Sequence, residues 1–141
     1  MALVRLALRN LSSRSHHDDL EEDERMKSAK RIVLVQNDQY LIDTRKALLQ
    51  QQGYVVESVH TVESARALCE NLSCDLVIVD SEEDYQAAVE LCDEIKVTHP
   101  ETNVAVITWT ESAIDSDCPD EVIPRDRGPR EFLNRVRLAL A

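Results

Sequence analysis

The chain has 141 residues, of which 16 are basic and 27 acidic, giving a formal net charge of −11 with 43% apolar residues. That length suits one domain around one core, and the acidic balance repels a phosphate backbone, so a multidomain enzyme and a direct nucleic-acid binder both drop out. The only two glycines, Gly53 and Gly128, cannot supply a glycine-rich phosphate loop. No apolar run approaches the roughly 18 residues of a membrane helix. Cys69, Cys74, Cys92 and Cys118 form no CxxC pair, so they are expected to be unpaired small core residues in a reducing, cytoplasmic setting. His16, His17, His60 and His99 stand too far from them for a zinc spacing.

Composition breaks near residue 30. Residues 1–17 hold three arginines and no acid, and residues 18–24 then place six acids in seven positions; like-charge blocks of this kind rarely fold alone. Residues 1–29 therefore read as an extension, weakly ordered or a short helix, outside a domain of residues 30–141. An arginine- and serine-rich leader and a start at Met26 are both open readings of it.

From residue 30 short apolar runs alternate with helical stretches, the pattern of a parallel sheet with crossover helices. Ile32–Val35 is the first run. Gln39–Gln52 follows as a helix that Gly53 stops, and Val55–Val59, mixed in polarity, suits an edge strand. The helix Val62–Leu72 stripes Ala65, Leu68, Cys69 and Leu72 on one face. Leu76–Val79 is a second Val- and Ile-rich run of the sort covered on both faces. The helix Tyr85–Thr98, closed by Pro100, stripes Ala88, Leu91, Cys92 and Ile95, and Val104–Ile107 is the next central strand. Between Trp109 and Glu121 the chain is rich in Ser, Asp and Pro, predicting a shortened fourth crossover. Val122–Ile123 forms the other edge, and a last helix from about Pro129 turns Phe132, Leu133, Val136 and Leu140 inward. The expected fold is a flavodoxin-like, doubly wound, five-stranded parallel sheet in the order 2-1-3-4-5.

In such sheets the functional crevice lies outside the carboxyl ends of the strands. The residues there are Gln36, Asn37 and Asp38 after the first strand and Asp80 to Asp84 after the third. Thr108 and Trp109 follow the fourth strand, and Arg125 and Asp126 the fifth. RIVLVQND, DLVIVD, AVELCDEIKVTHPETNVAVIT and EFLNRVRLAL, taken together, resemble the receiver domain of bacterial two-component response regulators over residues 30–141.

The resemblance implies that Asp80 matches the phosphoacceptor, Thr108 the switch hydroxyl and Arg125 the conserved lysine. It also implies that the acidic pair holding Mg²⁺ is replaced by Gln36 and Asn37. Neutral amides hold a hard cation poorly, so the only metal ligands expected are Asp38 and Asp80, and any Mg²⁺ binding is expected to be weak. Asp38 is read chiefly as a helix cap. Arginine for lysine puts a planar fork where a point charge belongs, and Trp109 crowds the entrance. The acids of residues 80–84 should raise the pKa of whichever carboxylate is most buried. The site is thus expected to be degenerate, in a stand-alone interaction module of phosphorelay signalling that is not an enzyme. The alternative is a functional receiver phosphorylated on Asp80. The expected partner is a signalling protein, a histidine kinase or a downstream effector, with no nucleic acid or membrane. It is expected to meet a surface that includes Arg130, Arg135 and Arg137.

Overall fold

The strand order along the sheet is β2-β1-β3-β4-β5 and every neighbouring pair is parallel. Here β1 is Arg31–Val35, β2 Val55–Val59, β3 Leu76–Asp80, β4 Asn103–Thr108 and β5 Glu121–Pro124. The helices are α1 (Gln39–Gln51), α2 (Val62–Asn71), α3 (Tyr85–Thr98) and α4 (Gly128–Leu140). The computed structural model describes residues 29–81, 84–109 and 117–141. The predicted extension up to residue 28, and residues 110–116 of the predicted short crossover, lie outside the described residues.

The period-two alternation of side chains divides the central strands between two cores. Ile32, Leu34, Leu76, Ile78, Ala105, Ile107 and Ile123 point to one face and pack with Leu49 of α1 and Phe132 and Val136 of α4. Val33, Val35, Val77, Val79, Val104 and Val106 point to the other and pack with Ala65 and Cys69 of α2 and Leu91, Cys92 and Ile95 of α3. Double-sided burial explains why these runs are continuously apolar rather than alternating.

Caps fix where the helices begin. Asp38, Thr61 and Asp84 each accept a hydrogen bond from a first-turn backbone N–H, those of Leu41, Ser64 and Ala87. Each satisfies one of the donors that a helix start leaves unpaired. After α1 the chain turns at Gly53 with φ of 93°, a left-handed conformation that a Cβ would strain.

Two sequence expectations are corrected. Cys92 of α3 and Cys118, just ahead of β5, form a disulfide, whereas Cys69 and Cys74 are free. The two partners are 26 residues apart in the chain, and they meet because Cys118 packs against the core that α3 covers. Arg135 does not join Arg130 and Arg137 on an open surface. It turns inward, pairs with Glu121 at 3.1 Å and Glu131 at 2.7 Å, and donates to the Val122 carbonyl at 2.7 Å. It therefore clamps α4 to β5, while Arg130 and Arg137 are exposed.

Candidate functional site

The β1, β3, β4 and β5 ends converge on Asp80. Ser81, the next residue, is held on β4 by two bonds to the Ile107 carbonyl, from its amide at 3.1 Å and its hydroxyl at 2.7 Å. The neighbouring strand ends in Thr108, which is fully buried and whose carbonyl accepts from the Arg125 amide at 2.6 Å. Asp80 and Arg125 are thus carried by a pinned backbone on both sides.

The Asp80 carboxylate has no exposed surface. Arg125 forks onto it, with Nη1 on Oδ2 at 2.6 Å and Nη2 on Oδ1. Arg45, from the middle of α1, donates to Oδ2 at 2.7 Å, and the Gln36 side-chain amide donates to the same oxygen. Gln36 is itself buried, and its side-chain oxygen accepts from the Asp38 amide at 2.9 Å. The Arg125 guanidinium lies 4.7 Å from the centroid of the Trp109 ring, and that of Arg45 lies 5.9 Å from the Phe132 ring, both within cation–π range. The site is a buried carboxylate between two guanidiniums, each carrying an aromatic neighbour.

Arg45 is the member that sequence reasoning missed. The signal was present: Ile42, Arg45 and Leu49 are the buried residues of α1, so a charged residue sits within an apolar stripe at helical spacing, where it needs a buried partner. Trp109, expected to crowd the entrance, is half exposed and stacks on Arg125. Asn37 and Asp38 are exposed, and Asp38 faces α1 as its cap. Glu82 and Glu83 lie outside the described residues.

The expected rise in carboxylate pKa is reversed at Asp80. Burial alone pushes its pKa up, but hydrogen bonds and charge from Arg125 and Arg45 outweigh that and hold it below the ordinary 3.8. A depressed folded-state pKa means that the stabilisation is complete above the unfolded value and is lost as pH falls through the folded one. A ¹³C NMR titration of the Asp80 carboxyl should therefore give a midpoint below 3.8. A midpoint at or above that value would mean that the arginines do not hold it in solution.

Mg²⁺ prefers a near-octahedral set of oxygens with one or two carboxylates. Here the oxygens of Asp80 face nitrogen donors, Gln36 is engaged at both ends of its amide, and Asp38 is turned to the Leu41 amide. Among the described residues no group of three or more His, Cys, Asp or Glu side chains is gathered. The residues present do not fit the ion. A cleft of about 610 Å³ opens at the carboxyl ends of β1 and β3, with Gln36 and Asp80 themselves in its lining beside Asn37, His60, Ser81 and Asp84.

A 2-1-3-4-5 parallel sheet with an aspartate ending its central strand, a hydroxyl ending the next and a cation following the edge strand defines a signalling receiver architecture. Residues 32–118 match the family model of the response regulator receiver domain, and the chain belongs to that family. It is 30% identical over 115 residues to the transcriptional regulatory protein CpxR of Klebsiella pneumoniae, an alignment covering 78% of this chain and 49% of that protein. The chain spans about half the length of the curated relatives it matches. A CheY-like receiver domain protein from Methanospirillum hungatei superposes with a TM-score of 0.71 at 27% identity, covering 80% of this chain and 94% of that one. The response regulator TrrA of Thermotoga maritima, solved in complex with the histidine kinase ThkA, shares the fold with a TM-score of 0.70 at 24% identity, covering 79% and 99%. Among the described residues no helix is long and apolar enough to cross a membrane.

Proposed function

We propose that this receiver domain works as a phosphorylation-independent interaction module in two-component signalling, and that it has no enzymatic activity of its own. One observation carries the reading: the Asp80 carboxylate is enclosed, with both oxygens already bound by arginine. A phosphodonor needs an approach to a carboxylate oxygen and a metal ion to neutralise the moving charge. Arg125 takes the first, and the pair Gln36 and Asn37 removes the second. The arginines hold Asp80 in one arrangement where a phosphorylated receiver needs two.

The partner is a histidine kinase or a downstream effector. The kinase-bound state of TrrA supports that class of partner, and the exposed Arg130 and Arg137 of α4 offer it a basic rim. The alternative, a working receiver phosphorylated on Asp80, draws its support from Asp80 and Thr108 standing at the ends of adjacent strands.

Incubation with a small-molecule phosphodonor and Mg²⁺, read by intact mass, separates the two. The unmodified protein should gain no phosphoryl adduct, and Mg²⁺ should bind in the millimolar range or weaker. Gln36→Asp with Asn37→Asp should tighten Mg²⁺ at least about tenfold, roughly 1.4 kcal/mol. Stoichiometric modification of Asp80 in the unmodified protein would decide for the alternative.

A further inference from the structure

On the face of the sheet covered by α1 and α4 there is a second cavity, of about 250 Å³. Leu48, Ile107, Ile123 and Phe132 give it an apolar lining, and Arg45 and Arg125 also line it. Two cations there share one anion, Asp80, so the described part of the cluster carries a net charge of +1, held on side chains only 10% and 12% exposed. A positive charge held away from water is poorly compensated and attracts an anion.

A further feature points the same way. Gly128 and Pro129, the first residues of α4, line the same cavity, and that helix starts without a side-chain cap. Its first-turn N–H groups add partial positive charge.

We propose that this cavity is a binding site for a small organic monocarboxylate with an apolar body. Its carboxylate lies against Arg125 and the first turn of α4, and its body against Leu48, Ile107, Ile123 and Phe132. The volume admits one ring or a short chain and excludes a nucleotide, whose sites are larger. The lining requires the apolar body, because a bare inorganic anion would leave that wall unfilled. This site is separate from the phosphoacceptor reading, since it lies on the α1 and α4 face and involves no chemistry on Asp80.

The test is an amide NMR titration of the full chain with benzoate, benzyl alcohol and inorganic phosphate. Benzoate should give saturable shifts at Ile107, Ile123 and Phe132, with the alcohol at least about tenfold weaker because it lacks the charge. Leu48→Phe, which fills the cavity, should abolish the benzoate shifts. The three-ligand panel on the unmodified protein decides the matter even where that variant folds poorly. Equal binding of alcohol and benzoate would remove the anion requirement, and phosphate shifting the same residues as strongly would remove the apolar body. Absence of saturable benzoate shifts would overturn the site altogether.

Discussion

Replacing Asp80 with alanine is expected to destabilise the fold by about 3–5 kcal/mol, because it leaves two buried guanidiniums facing each other with no anion between them. The melting temperature should fall by on the order of 10 °C. In a receiver whose acceptor aspartate faces water the same change removes only a surface carboxylate, so the size of the loss reports on the enclosure itself. Arg45→Met in the Asp80→Ala background should recover part of the stability, since an apolar side chain of similar length removes one stranded charge from a buried position beside Phe132. Thermal denaturation of the two variants checks this. A loss below about 1 kcal/mol in Asp80→Ala would mean that Arg45 and Arg125 swing out to solvent, as exposed ion pairs allow.

Reduction of the Cys92–Cys118 disulfide is expected to cost about 3 kcal/mol. The bond closes a chain segment with a sequence separation of 26 residues, and the loop-closure entropy that it removes from the unfolded ensemble amounts to roughly 3.5 kcal/mol in the chain-entropy model. The folded contacts should hardly change. Lys96 pairs with Asp120 at 2.5 Å, and Asp120 exchanges two bonds with Val104, so the chain next to Cys118 stays tied to α3 and β4 without the disulfide. Chemical denaturation with and without a thiol reductant measures the difference, with Cys118→Ser as the variant in which reductant should have no further effect. If reductant leaves the unmodified protein's midpoint unchanged, the two cysteines are unpaired in solution.

The local pattern was enough to place the architecture. Runs such as Ile32–Val35, Leu76–Val79 and Val104–Ile107 are apolar at every position because both faces of the sheet are covered. The stripe of Ala88, Leu91, Cys92 and Ile95 marks one helical face, and with Pro100 closing the segment it gave the helix Tyr85–Thr98 with the bounds that the structure has. Once strands and helices alternate, right-handed crossovers leave few orders for the sheet. The strand ends then follow, and with them the positions of Gln36, Asp80, Thr108 and Arg125.

Which side chains meet at those ends was not legible to the same degree. Arg45 is 35 residues from Asp80 and Arg125 is 45 residues from it, separations that no periodicity relates. The acids next to Asp80 in the chain suggested a raised pKa, yet the charges that decide it come from α1 and from the turn after β5. Coulombic interaction depends on distance in space and on burial, and sequence neighbours such as Asp84 are turned to water and to their own helix. The same holds for Cys92 with Cys118, and for Arg135 with Glu121. Composition, periodicity and capping residues determined this protein's elements and their order, because those are set by short-range sterics and by which face is apolar. The partners of each buried charge and thiol were decided by the tertiary structure alone, because closing the sheet is what brings distant residues within bonding distance.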